Sequence, residues 1–261
     1  MKIIYSPGGQ LCNKIWSFTY YIARSFTQNE KIFLLNFGEY IHLFPNLSAY
    51  KSIRFVKNNR ITLNICRLLK KITNNVMDGW QYRSKTEFTD DFFDKIHFLF
   101  RPHLSVIQKC EKIMSELKEK KKIVVGVHIR RGDYAQYMNG IYYFGNATYV
   151  HYMKQIQKEI GKEVCFFISS TEEITLNDPD LFCYQIPQAT NMEDLYSLSL
   201  CNYILGPPST FSMWASFYGK TPLRIVSRKD ESISLNEFKL IIAVDTFQDG
   251  TIFSHNVSNP C

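Results

Sequence analysis

The sequence predicts a doubly wound α/β protein made of two such halves, and three observations carry that expectation. Short apolar runs alternate with amphipathic helical stretches, most regularly after residue 122. The chain opens strand, glycine turn, helix, strand, the order of a parallel βαβ unit. Its 261 residues, 45% of them hydrophobic, suit one large or two small domains with a sizeable core.

Lys2–Tyr5 reads as the first strand, stopped by the turn signal Pro7-Gly8-Gly9. A helix follows over Asn13–Gln28, with Ile15, Phe18, Ile22 and Phe26 on one face, and then a strand over Lys31–Leu35. From Phe37 to Phe100 turns and aromatics dominate. One segment there is amphipathic: Ile61, Ile65, Leu68, Leu69 and Ile72 share a face, opposite Arg60, Asn64, Arg67, Lys70 and Lys71. This predicts a surface helix laying its apolar face on a core; the alternative is a basic helix resting on anionic lipid. His103–Lys122 forms another amphipathic helix, through Leu104, Ile107, Met114 and Leu117. It ends in a lysine-rich run that suits a helix C-terminus and marks the expected boundary between domains 1–121 and 122–261.

The second half continues with a buried strand over Ile123–Ile129, a helix over Thr148–Ile160 and a strand over Val164–Ser169. Then come a helix over Met192–Cys201, a strand over Tyr203–Leu205, a helix over Phe211–Tyr218 and a strand over Leu223–Val226.

Bulk properties narrow the partners. A net charge of +7 favours an anionic one: a nucleotide diphosphate, a membrane surface or a nucleic acid. Scattered basic residues with no aromatic-basic platform argue against nucleic acid. Seven cysteines occur singly, without a CxxC pair, which points to reduced thiols. Proline cuts the N-terminal apolar run short, against a signal peptide. A cytoplasmic protein is expected, with contact at the inner membrane as the further reading. No Walker loop or nucleophile elbow occurs. Asp178-Pro179-Asp180 spells the DxD of metal-dependent transferases but lies in a turn away from a strand, so no metal is expected.

The chemistry concentrates after the strand Ile123–Ile129, where open α/β sheets gather ligands. There stand His128, Arg130, Arg131, Gly132, Asp133 and Tyr134. An arginine fork matches phosphate oxygens, and a placed Arg130 would stabilise the charge growing on a departing diphosphate. The plainer reading is a strand-end salt bridge of Arg131 with Asp133. Gly8, Gly9, Gln10 and Asn13 lie where a strand turns into a helix and can offer backbone N–H groups to an anion, or make an ordinary turn. Thr190-Asn191-Met192-Glu193 fits a capping box, with Asp194 just beyond it. Ser209 and Thr210 open a helix and serve as plain caps if nothing more. Phe211 and Trp214 suit the core by spacing, with base stacking as the alternative.

His128-Ile129-Arg130-Arg131-Gly132-Asp133-Tyr134 resembles the HxRRxDY motif of α-1,2- and α-1,6-fucosyltransferases. Three other stretches resemble that family, in its order: the loop Gly8–Lys14, the segment Asn191–Cys201 and the run Gly206–Trp214, which resembles the STFSxW segment of the α-1,2 group. The middle of the first half matches no motif of the family. The resemblance implies a GT-B-like fold of two Rossmann-like domains with a cleft between them. Residues 1–121 would hold a glycan acceptor, and 122–261 a nucleotide sugar. It implies an inverting, metal-independent transferase using GDP-β-L-fucose as donor, in surface polysaccharide or oligosaccharide synthesis, with no cofactor. Arg130 would neutralise the leaving diphosphate, and His128 and Asp133 would orient it and the sugar. Arg131 and Tyr134 would join in substrate binding, Asp194 would accept hydrogen bonds from guanine, and Ser209, Thr210, Phe211 and Ser212 would face the phosphates. This chain departs from the family's glycine loop by an extra residue, with Cys12 and Lys14 in place of Gly and Gln. No carboxylate stands at Gln136–Asn139 to act as a base. The rivals are a same-fold transferase with another donor and a non-catalytic nucleotide-sugar-binding protein.

Overall fold

The computed structural model describes residues 1–6, 8–57, 60–84 and 89–254. Pro7, the side chain of Arg60 and Cys261 lie outside the described residues. Two compact units emerge, Met1–His103 with Ile242–Val244, and Leu104–Ile241 with the remainder.

The first unit contains β1 (Lys2–Tyr5), α1 (Leu11–Gln28), β2 (Ile32–Leu35), β3 (Ile53–Val56), α2 (Arg60–Leu69), β4 (Val76–Asp78) and α3 (Asp90–Leu99). Its four strands are parallel in the order β3-β2-β1-β4. Ile4, Ile15, Trp16, Phe18, Ile22 and Leu34 are fully buried, so the apolar face predicted for α1 does pack inward. The helix begins at Leu11, earlier than the periodicity suggests, because Leu11 and Cys12 are themselves buried. β4 can leave the sheet beside α1 because Gly79 has no side chain; a Cβ there would sit 2.6 Å from the Ser17 carbonyl oxygen.

The helix predicted near residues 61–72 exists as α2, but its orientation is the reverse of the expected one. Ile61, Ile65, Leu68, Leu69 and Ile72 are exposed. The inward side is taken by Cys66 and Leu63, which pack with Tyr5, Leu35 and Val76. Spacing defines an apolar face; the sheet here was met by the smaller pair on the other side.

The second unit contains α4 (Leu104–Lys120), β5 (Ile123–His128), α5 (Asn146–Ile160), β6 (Val164–Ser169), β7 (Cys183–Tyr184), α6 (Asn191–Ser199), β8 (Tyr203–Gly206), α7 (Thr210–Gly219) and β9 (Leu223–Ile225). All five strands are parallel, in the order β7-β6-β5-β8-β9. The expected boundary at residue 121 moves to 103, since α4 belongs to this unit. Its Ile107, Cys110, Met114 and Leu117 are buried. Lys109 pairs with Glu193 at 2.5 Å, and Lys118 Nζ donates to the Leu200 carbonyl at 2.9 Å. The lysine run is thus a solvated helix end inside the second unit.

Two close approaches pack α6 against this sheet and α7 against α6. A Cβ at Gly126 would come 2.6 Å from Leu198 of α6, and one at Gly219 would come 1.9 Å from the Ser199 carbonyl oxygen. Trp214 is core, as its spacing suggests, at 2% exposure.

Candidate active site at the sheet switch point

In the second sheet the strand order reverses between β5 and β8, one running outward through β6 and the other through β9. Ligands of open α/β sheets bind beyond the strand ends at such a point. The chain places its least ordinary polar residues there.

β5 ends at His128, whose register partner across β6 is Ser169. His128 is buried; its Nδ1 lies 3.0 Å from Ser212 Oγ at the start of α7, and its ring rests 4.9 Å from that of Phe211. Burial first, then the nearby Arg130 charge, drive its pKa down to about 3, so the imidazole is neutral at ordinary pH. On β8, Gly206 makes room for it, since a Cβ there would meet the His128 Cβ at 3.0 Å.

The two arginines part ways. Arg131 turns inward and is buried. Its Nη1 donates to the Phe144 carbonyl at 2.5 Å, its Nη2 donates to Asn146 Oδ1, and its guanidinium lies over the Tyr143 ring. Expected beside Arg130 as a ligand contact, it instead fastens the loop to the start of α5. Arg130 stays at the rim. Its Nη2 donates to Asp133 Oδ1 at 2.6 Å, its guanidinium lies 4.5 Å from the centre of the Tyr134 ring, and its Nε has no hydrogen-bond partner. The salt bridge anticipated for Arg131 with Asp133 belongs to Arg130. Gly132, at φ +54°, turns the chain between them. Tyr134 is buried and donates to the Pro208 carbonyl at 2.6 Å, tying the loop after β5 to the loop after β8.

Asp194 completes the rim. The capping box forms: Thr190 Oγ1 accepts from the Glu193 N–H at 3.2 Å, and Glu193 accepts from the Thr190 N–H at 2.8 Å. One residue on, Asp194 is buried over the end of β6. Its Oδ2 accepts from Ser169 Oγ at 3.1 Å, and its Oδ1 is buried without a partner. Burial raises its pKa to about 7, the Glu193 charge assisting and hydrogen bonding from Ser169 and from the Ser170 backbone opposing. Ser169 and Asn146 are the contributors the motifs did not single out. Each acts on a partner distant in sequence, which spacing cannot show.

Ser209 caps α7 by accepting from the Phe211 N–H at 3.3 Å, with Thr210 next to it; Ser212 is fully buried under His128. In the first unit, Gly8, Gly9 and Gln10 are exposed between β1 and α1, also at a switch point, where the order reverses between β1 and β4. Gly9 takes φ +82° with Asn13 packed against it, where a Cβ would clash at 2.3 Å. Lys14, the departure in that loop, is buried and ion-paired with Glu39.

Asp178 is occupied by Lys154 at 2.6 Å. Among the described residues no group of three His, Cys, Asp or Glu side chains is placed to hold a metal ion.

A model of glycosyl transferase family 11 matches residues 47–230. The chain belongs to glycosyl transferase family 11. Galactoside alpha-(1,2)-fucosyltransferase 1 of Plecturocebus brunneus is 25% identical over 140 residues, 48% of this chain and 38% of that protein. The matched region therefore spans well under half of that relative. The structure of a mutant Arabidopsis thaliana FUT1 in complex with GDP aligns with a TM-score of 0.59 at 11% identity, over 99% of this chain and 80% of that one. Fucosyltransferase NodZ from Bradyrhizobium aligns at 0.58 and 12% identity, over 88% and 97%. These likenesses establish the GT-B-like fold of two α/β units for this family member.

Proposed function

We propose that the protein transfers L-fucose from GDP-β-L-fucose to a glycan hydroxyl, with inversion and without a metal ion. One observation carries the reading: a buried carboxylate oxygen without a partner, Asp194 Oδ1, at the carboxyl end of the strands, where Arg130 also lies. An orphaned buried acceptor costs free energy unless a ligand donor meets it. Guanine offers two adjacent N–H donors on one edge, which a carboxylate can accept together.

Arg130 then supplies what the reaction needs at the other end of the nucleotide. Its fork suits the diphosphate, Asp133 and the Tyr134 ring brace it, and its charge falls where the glycosidic oxygen becomes anionic. Neutral His128 offers a ring nitrogen without adding repulsion to Arg130. Ser209 and Thr210 open α7, whose N-terminus would meet the same anion. Arg131 acts through the loop it anchors. The first unit is assigned the acceptor, and its Gly8–Gln10 loop offers backbone N–H groups to an anion. The family membership and the GDP held by the Arabidopsis structure support the nucleotide. The name of the Plecturocebus brunneus relative supports fucose and the α-1,2 linkage.

Calorimetry with GDP, UDP and CDP tests the base, and mass spectrometry with GDP-fucose and candidate acceptors tests transfer. GDP alone should bind tightly, and EDTA should leave turnover unchanged. Preference for UDP or CDP would overturn the donor. GDP binding with neither hydrolysis nor transfer would leave a nucleotide-sugar-binding protein.

A further inference from the structure

The exposed arc of α2 is the largest feature that nucleotide chemistry does not use. Ile61, Leu68 and Ile72 are 68%, 62% and 81% exposed, and Ile65 and Leu69 lie on the same side. At about 100° per residue Ile61, Ile65, Leu68 and Leu69 fall within roughly a quarter turn of α2, and Ile72 follows in the turn after it. The helix cannot roll them inward without expelling Cys66 and Leu63 from their packing with Tyr5, Leu35 and Val76. Contiguous apolar surface of this kind marks a contact site.

Charge identifies the contact. From Tyr40 to Met77 the chain has seven lysines and arginines and no aspartate or glutamate, so this stretch alone matches the net charge of +7. Arg67 and Lys71 flank the apolar arc and form no ion pair among the described residues, while Lys70 reaches Asp78 at 3.6 Å. A second copy would bring the same positive field to the interface. Protein hot spots favour aromatic anchors, and this arc is wholly aliphatic. Aliphatic side chains edged by unpaired cations match the acyl boundary of an anionic bilayer. No helix among the described residues is long and apolar enough to cross a membrane, so the contact is with its surface.

We infer that α2 and the turn after it form a membrane-surface segment, seating the first unit on anionic lipid through Ile61, Ile65, Leu68 and Ile72 with Arg67 and Lys71 at the headgroups. This does not depend on which sugar is transferred.

Co-sedimentation of the whole chain with phosphatidylcholine vesicles, with and without 30% phosphatidylserine, tests it. Binding should be at least tenfold tighter to the anionic vesicles and should weaken as NaCl rises from 0.1 to 0.5 M, as screening requires. The exposed double change Ile65→Glu with Leu68→Glu should weaken it at least tenfold. Arg67→Ser and Lys71→Ser should each cost about fivefold, the scale of one cation at such a surface. Circular dichroism and the melting temperature of each variant verify folding. No vesicle binding, or binding indifferent to both sets of changes, would overturn the inference. So would a dimer in sedimentation velocity that Leu68→Glu disperses while vesicles remain unbound.

Discussion

The rim of the second sheet and the outer face of α2 are opposites. At the rim, polar groups are buried with some of their hydrogen-bonding capacity unused: Arg130 Nε and Asp194 Oδ1. On α2, aliphatic groups are exposed with a strip of cations beside them. Both arrangements are unfavourable in the isolated chain, and each would be relieved by a different kind of partner. A buried unpaired acceptor asks for a small, directional donor. An exposed apolar strip asks for extended, non-directional contact. Changes at one region should therefore leave the other's partner untouched.

The largest expected effect is at Arg130. Arg130→Ala should lower transfer at least about a hundredfold, the scale of one lost transition-state contact, with vesicle binding unchanged. Turnover close to the parent's would remove Arg130 from the chemistry.

Asp194→Asn should come next, weakening GDP by about tenfold or more, since a charge-assisted pair is exchanged for a neutral amide. The pH dependence has a definite sign. With the folded pKa raised to about 7, the carboxylate that guanine needs is lost as pH falls through 7. GDP affinity, referred to the Asn variant, should be about tenfold weaker at pH 6 than at pH 8. Stability runs the other way. The folded state holds the Asp194 proton more tightly than the unfolded chain, so this contribution is present below pH 4 and lost as pH rises through 7. It amounts to at most about 4 kcal/mol. Urea unfolding of parent and Asn variant across that range would show it as a narrowing or reversal of the difference.

Arg131 separates bracing from binding within the rim. Arg131→Met leaves the Phe144 carbonyl and Asn146 Oδ1 without their donor. The buried Phe144 carbonyl so stranded costs about 1–3 kcal/mol, while the exposed Asn146 amide turns to water, and the melting temperature should drop by several degrees. GDP should suffer less at low temperature than with Asp194→Asn. The smallest effect closes the comparison: Leu68→Glu should leave GDP affinity within about twofold of the parent, measured by calorimetry.

The second half was the more legible in sequence. Its strands and helices alternate without interruption, and the buried run Ile123–Ile129 leads directly into the polar cluster at its end. The capping box before Asp194 could be read because its residues are neighbours. What was hidden depended on tertiary choice. Periodicity showed that α2 has two faces but could not say that Cys66 and Leu63 would be the ones to meet the sheet. The lysine run at the end of α4 reads as a domain boundary because solvation at a helix end and at a boundary leave the same composition. Adjacent arginines have the same chemistry, and only the loop path, set by Gly132 and Asn146, sends one inward. The Ser169–Asp194 hydrogen bond spans 25 residues, beyond any local pattern.

The Tyr134 hydroxyl, donating to the Pro208 carbonyl, couples two loops that leave neighbouring strands. That latch is closed by the protein's own atoms. A nucleotide would find its seat already assembled, with little ordering entropy left to spend on arrival, so encounter should be fast and the heat-capacity change on binding small. Tyr134→Phe would convert the seat into one the ligand must assemble for itself, slowing association more than it hastens release.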